Sequence, residues 1–239
     1  MKRTRLLKYL EDYRDGCLDS KGRLWLDQEK RRLDGLWAFE SEAFPGWAVG
    51  CDEVGRGPMA GPLVAAAATS NQPVFIPGLN DSKKLTGGER ELIRQLILSS
   101  PIQVKTCFIS AQEVSQGNLH HLSLQAMHRA TQALPIRPDL ALIDGKYPMK
   151  IKDDLRQLPL IKGDRRSALI AAASIVAKVE RDQVMMRLAQ EFPGYGWDNN
   201  VGYPTLEHRQ ALIKLGITPH HRTNYRPVRE ALSTQGGVL

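Results

Sequence analysis

The chain has 239 residues, 42% hydrophobic and 25% charged, the balance of an ordinary globular protein with one well-filled core and appendages, or at most two small domains. A net charge of +7 and a pI near 9.4 permit a polyanionic partner such as nucleic acid, or an anionic membrane surface, without requiring either. Cys17, Cys51 and Cys107 are odd in number, widely spaced and in no C-x-x-C arrangement, which indicates neither a disulfide framework nor a thiolate zinc site and fits a reducing cytoplasm.

Residues 1 to 45 are rich in charge. Met1-Lys2-Arg3-Thr4-Arg5 has the look of a signal-peptide n-region, but Lys8, Glu11 and Asp12 break the apolar stretch behind it, and no run approaches the length of a membrane span. Leu26, Leu33, Leu36 and Trp37 recur at near-helical spacing, and Phe44-Pro45-Gly46 closes the segment, predicting a helical extension packed on the main domain. The cluster Lys30-Arg31-Arg32 reads as a solvated helix face, with nucleic-acid contact as the alternative.

The run Trp47-Ala48-Val49 predicts a buried strand that ends in Gly50-Cys51-Asp52-Glu53-Val54-Gly55-Arg56-Gly57-Pro58. Carboxylates at a strand end are natural metal or acid-base positions, held by a rigid chain and open to a substrate. Gly55 and Gly57 allow positive φ and close approach of a ligand, and Arg56 offers a fork for phosphate. Taken alone, the same residues also suit a polar turn with a solvated Asp-Glu pair.

Leu63 to Ala68, entered through Gly61-Pro62, reads as a second strand. Asn80-Asp81-Ser82-Lys83-Lys84 is a polar loop whose lysines are placed to hold a backbone phosphate or are simply solvated. Thr86-x-x-Glu89 is a capping box opening a helix with Leu92, Ile93, Leu96 and Ile97 on one face. Ile102 to Ile109 alternates like a strand, and Asn118 to Leu134 reads as a helix with Leu119, Leu122, Ala126 and Ala130 inward. His120, His121 and His128 on it lack the i, i+4 spacing of a helical zinc pair and read as solvated or packing side chains.

Leu140 to Ile143 is an apolar strand ending in Asp144-Gly145, alone also a turn signature. Leu158 to Ile161 repeats the theme before Lys162-Gly163-Asp164, and Ser167 to Met186 follows as a helix with a small face at Ala171, Ala172, Ala173, Ser174 and Ala177. Asp164 by itself suits a helix start. The tail carries Pro193-Gly194-Tyr195-Gly196, then Val201-Gly202-Tyr203-Pro204-Thr205 leading into a helix through Leu215 that Gly216 stops, then His220-His221-Arg222. Both loop tyrosines look exposed, as turn filler or as rings that stack on a sugar or base.

Three apolar strands ending in acids, interleaved with amphipathic helices, predict an α/β domain whose carboxylates could meet at one rim of a sheet. If they meet, Asp52, Glu53, Asp144 and Asp164 form a cluster that cannot stay ionised without cations, and all-oxygen ligands select magnesium or manganese.

The ordered motifs Cys51 to Pro58, Leu79 to Leu85, Leu142 to Gly145, Lys162 to Asp164, Ala172 to Val179 with Arg181-Asp182, Gly202 to Thr205, and His221-Arg222 with Pro227-Val228 resemble ribonuclease HII over about residues 46 to 230. The resemblance implies a ribonuclease H-like fold, a mixed central sheet flanked by helices. It divides the chain into a helical extension (1 to 45), a catalytic domain (46 to 195) and a helical substrate-contact region (196 to 239). It implies a cytoplasmic, monomeric endonuclease that hydrolyses the RNA strand of RNA/DNA hybrids with two Mg2+ or Mn2+ ions. The enzyme would also cut 5′ of single ribonucleotides in duplex DNA, as in ribonucleotide or primer RNA removal, leaving a 5′-phosphate.

Carried over by motif, Asp52, Glu53, Asp144 and Asp164 are the metal-binding carboxylates. Gly55, Arg56 and Gly57 sense the ribose 2′-hydroxyl, Ser82, Lys83 and Lys84 join in substrate binding, and Tyr203 stacks on the junction sugar. The chain departs from the pattern at Lys146, usually Asn, at Val201, usually Lys, and at Thr223-Asn224-Tyr225, usually Arg-Ser-Phe. The alternatives are another nuclease of the same fold, such as ribonuclease HIII, and a catalytically silent nucleic-acid-binding protein.

Overall fold

The computed structural model describes residues 4–43, 46–149 and 154–235, so the Phe44-Pro45 break falls outside it. Five strands, β1 (Ala48–Val54), β2 (Leu63–Ser70), β3 (Gln103–Ile109), β4 (Leu140–Asp144) and β5 (Arg156–Leu160), form one sheet in the order β3-β2-β1-β4-β5. β1, β2 and β3 pair antiparallel, whereas β4 lies parallel to β1 and β5 parallel to β4. This is the mixed sheet flanked by helices of a ribonuclease H-like fold. The predicted third acid-ended strand, β5, is an edge strand: Leu158 is half exposed and Ile161, just beyond its end, is exposed. An edge also tolerates Pro159, which has no amide for the ladder.

Alternation along β1 and β2 divides the core. Ala48, Val64, Ala66 and Ala68 face α6 (Ala168–Glu191), while Val49, Cys51, Leu63, Ala65 and Ala67 face α5 (Leu119–Gln132). α6 is buried nearly all round along its first three turns, which is why its composition is alanine-rich rather than striped. It sits directly on β1, since a Cβ at Gly50 would lie 2.3 Å from the Ile170 nitrogen and from the Leu169 carbonyl carbon. Ser167 caps its first turn, the hydroxyl accepting from the Ile170 amide at 3.1 Å.

The helical N-terminal extension is two helices, α1 (Arg5–Arg14) and α2 (Ser20–Ala43), separated where Gly16 takes φ +71°. Leu10, Leu33, Leu36 and Trp37 enter the core on the α6 side. Arg32 is not on a solvated face: its guanidinium donates to the Leu79 carbonyl at 2.7 Å and to Glu29 at 2.6 Å, and Glu29 in turn accepts from the Gly78 amide at 3.0 Å. Lys30 and Arg31 are exposed. Glu40 accepts from the Ser167 hydroxyl at 2.6 Å and the Leu169 amide at 3.0 Å, at the start of α6.

α3 (Gly87–Leu98) carries the predicted capping box of Thr86 and Glu89, and α8 (Leu206–Leu215) stops at Gly216. The short helix α4 (Ala111–Gln116) has no counterpart in the sequence pattern, while α7 (Trp197–Asn200) and α9 (Arg226–Gln235) join α8 in the helical C-terminal region. Tyr195 is buried, not exposed, stacked on Trp197 with its hydroxyl donating to the Gly216 carbonyl at 2.9 Å. A third cluster joins Met59, Met185, Tyr195, Trp197, Leu212 and Val228, so the C-terminal helices share a core with α6. No helix among the described residues is long and apolar enough to cross a membrane.

Because the Gly50 contact is backbone against backbone, Gly50→Ala cannot be absorbed by a rotamer change. It should lower stability by about 1–3 kcal/mol or more, read as a fall in the urea midpoint. An unchanged midpoint would show that α6 can be displaced without penalty.

Candidate active site

Alternation on β1 puts Asp52 on the face of Gly50, under α6, and Glu53 on the opposite face. Asp52 is buried and accepts from the Glu53 amide at 2.7 Å and from the Ser174 hydroxyl. Ser174 sits one turn beyond Ile170, the residue that rests on Gly50. Its hydroxyl is also 2.9 Å from that of buried Ser82, so Ser82 braces the site from within rather than presenting its side chain to solvent.

Asp144 ends β4, next to β1, and accepts from the Gly163 amide at 2.7 Å. Asp164 follows β5 in a single 3-10 turn, Gly163–Arg165, entered through Lys162 at φ +56°. A hydrogen bond joins it to Asp81, whose other contacts are the Lys83 amide at 2.9 Å and the Arg165 guanidinium at 2.8 Å. Asp81, seen in the sequence only as part of a polar loop, is thus a fifth acid at this rim.

The carboxylates feel one another. Burial raises the pKa of Asp52 well above the ordinary aspartate range, and the charges of Glu53 and Asp144 add to it. Burial likewise raises Glu53, against the pull of Arg56 at 3.2 Å, with Asp144 again raising and Lys83 lowering it. Asp164 is pushed up to about 6 by burial and by Asp81 and Asp144. Burial also opposes ionisation of Asp81, but the Lys83 amide and Arg165 outweigh it and leave that pKa lowered. The four predicted acids are therefore electrostatic neighbours, with exposed Lys83 close enough to favour the ionised forms of Glu53 and Asp164. Lys84 is exposed beside it. Among the described residues no group of three or more acids, histidines or cysteines is already closed around a point that would hold a metal ion.

A cleft of about 280 Å3 opens at this rim, lined by Glu53, Arg56, Asp144, Lys146 and Tyr147, with His120 edge-on to Tyr147. A larger cavity of about 450 Å3, lined by His128, Arg137 and Leu155, contains none of the acids. Beside the cleft, Gly55 takes φ +95°, and a Cβ there would lie 2.5 Å from the Arg181 Nε. Gly57 is not in that backbone region; instead, a Cβ on it would lie 3.1 Å from the Tyr203 ring. Tyr203 is 44% exposed, and its carbonyl accepts from His208 Nδ1 at 2.9 Å. His208 is buried with His221, their Nε2 atoms 3.1 Å apart, and burial, then His208, pushes the His221 pKa down to about 3.

Two fully buried arginines, noted in the sequence without a role, hold this loop. Arg181 donates to the carbonyls of Pro62 at 3.0 Å, Val201 at 2.9 Å and Ala60 at 3.2 Å. Arg222 donates to those of Gly61 at 3.0 Å and Pro58 at 2.8 Å. Gly202, at φ +87°, accepts from the Met59 amide at 2.9 Å. Sequence shows an Arg but not that its partners are carbonyls, so this function had no signal beyond the motif itself.

The profile of the family described as ribonuclease HII matches residues 49–228. The chain belongs to the ribonuclease HII family. A ribonuclease HII of Ruegeria pomeroyi is 50% identical over 184 residues, 77% of each chain. The solved ribonuclease H2 of Pyrococcus horikoshii superposes with a TM-score of 0.69 at 24% identity, covering 79% of this chain and 98% of that one. Bst-RNase HIII, solved in complex with Mn2+, matches with a TM-score of 0.64 at 19% identity, covering 82% and 72%. The fold is thus shared with ribonuclease HIII, and the sequence family separates the two. This ribonuclease HII chain is a ribonuclease H-type endonuclease, a hydrolase acting on nucleic acid.

The raised pKa of Asp164 has a definite sign in stability. Its folded value of about 6 exceeds the ordinary 3.8, so the folded state binds more protons, and stability falls as pH rises between those values. Without divalent cations, Asp164→Asn should therefore gain stability relative to the parent as pH rises from about 4 to 6 and hold that gain above. Denaturant titrations at successive pH values check this; parallel curves would remove the shift.

Proposed function

We propose that Asp52, Glu53, Asp144 and Asp164 are the catalytic, metal-binding carboxylates of this chain. The proposed reaction hydrolyses the RNA strand of RNA/DNA hybrids and cuts 5′ of single ribonucleotides in duplex DNA. The observation that carries it is the mutual electrostatic coupling of these acids, two of which, Glu53 and Asp144, line the cleft. The donor set fits a hard divalent cation: it is all oxygen, and a cation would offset the burial and repulsion that disfavour ionisation of Asp52, Glu53 and Asp164. The Mn2+ bound by Bst-RNase HIII is in line with Mg2+ or Mn2+ here.

When bound, such ions orient an attacking water and stabilise the leaving 3′-oxygen of an in-line displacement. The chain's own part is placement. The Glu53 amide and Ser174 hydroxyl aim Asp52, and the Gly163 amide aims Asp144. Lys83 and Lys84 supply positive charge for the phosphate backbone, with Ser82 fixing their turn through Ser174.

Gly55, Arg56 and Gly57 approach the ribose closely and read its 2′-hydroxyl, the group that separates RNA from DNA at one nucleotide. Tyr203, over Gly57, stacks on the junction sugar. The products would carry 3′-hydroxyl and 5′-phosphate ends, and the cellular task would be removal of ribonucleotides and primer RNA in the cytoplasm by a monomer. Residues 1–45 then serve as a supporting extension, 46–195 as the catalytic domain and 196–239 as the substrate-contact region.

A labelled DNA duplex with one ribonucleotide, incubated with Mg2+, Mn2+ or chelator, tests this directly. The parent should incise 5′ of the ribonucleotide only with metal, and Asp52→Asn should lose several kcal/mol of barrier stabilisation, on the order of a thousandfold in kcat/KM. Near-parental turnover by Asp52→Asn would end the assignment. Cutting of long hybrids alone would favour a ribonuclease HIII-like preference.

A further inference from the structure

We propose that the Tyr225 hydroxyl orients the Arg56-Gly57 peptide and thereby sets how sharply the chain separates ribose from deoxyribose. This rests on the reading of Gly55 to Gly57 as the 2′-hydroxyl sensor. Tyr225 donates its hydroxyl proton to the Arg56 carbonyl. Arg222 Nη1 reaches the same hydroxyl at 3.3 Å, the Pro58 carbonyl at 2.8 Å and, at a longer 3.5 Å, the Arg56 carbonyl itself, and its guanidinium lies over the Tyr225 ring, 5.6 Å from the centroid. The hydroxyl is thus polarised by a buried cation on one side and spent on one loop carbonyl on the other.

A trans peptide points its carbonyl and its amide in opposite directions, and the structure has no cis bond among the described residues. Holding the Arg56 carbonyl toward Tyr225 therefore turns the Gly57 amide away from it. That amide donates to no described residue, and Gly57 lies against the exposed Tyr203 ring. An N–H at that edge with no partner among the described residues is a donor for an oxygen on a sugar stacked on Tyr203. Tyr225 acts through the peptide and is a positioning residue.

Tyr225→Phe removes the hydroxyl and keeps the ring, which packs against two core clusters. Three quantities decide the matter: kcat/KM on a duplex with one ribonucleotide, the inhibition constant of the same duplex in all-DNA form, and the thermal midpoint. The expected result is a fall of about tenfold in kcat/KM, the size of one misaligned hydrogen bond, with the all-DNA inhibition constant and the midpoint within about twofold and a degree or two of the parent. Parental kcat/KM, or an equal loss in both duplex readouts, would overturn the proposal. A parent that ignores the single-ribonucleotide duplex would instead overturn the underlying reading, and this inference with it.

Discussion

The seating of α6 on β1 at Gly50 is the contact on which the acidic rim depends. With no Cβ in the way, the helix backbone rests on the strand, and the same strand face presents Asp52 two residues later. One turn along α6, Ser174 then reaches both Asp52 and Ser82, tying the strand, the helix and the lysine loop together. A side chain at residue 50 would open this spacing, and the serine bridge is too short to follow. The N-terminal helices reinforce the seat from outside: Glu40 holds the start of α6, and Arg32 with Glu29 holds the backbone just before the lysine loop.

The glycine-arginine-glycine loop is supported differently. It has few apolar side chains, so its shape comes from carbonyls captured by Arg181 and Arg222. Burying two guanidiniums is costly unless their protons are used, and burial lowers both pKa values, that of Arg181 to about 10. The carbonyls of Pro58, Ala60, Gly61 and Pro62 offset part of that cost and leave the loop little freedom, although Arg222 Nη2 is buried without a hydrogen-bond partner among the described residues. The proposed reading of a 2′-hydroxyl would gain from such rigidity, because a loop that could relax would also satisfy itself around a deoxyribose.

The strands were legible where composition and pleat agree, as in the alanine-rich β2 and the apolar β4 ending in Asp144. α3 was legible from its capping box. α4 carries the same device in Ser110 and Glu113 and went unread because six residues hold no hydrophobic period. The bounds of α9 were hidden by its arginines and by the Pro at its second position. Tyr195 looked exposed because glycine and proline surround it, whereas its ring completes a core made by residues distant in sequence. The acids themselves were legible as strand-end residues, but Asp81 as their neighbour was not, since nothing local says that its loop folds back over Asp164. The roles of Ser174, Arg181 and Arg222 depend on partners up to 166 residues away, which no local pattern encodes.

In the proposed site a divalent cation held among the acids would offset the burial and repulsion that raise the pKa values of Asp52, Glu53 and Asp164. Calorimetric titration of the protein with Mn2+ near pH 6, in two buffers of different ionisation enthalpy, tests it without reference to turnover. Saturable binding with proton release, weakened at least about tenfold by Asp144→Asn, is the predicted result. Mn2+ affinity and proton count that are the same in the parent and in Asp144→Asn would contradict it.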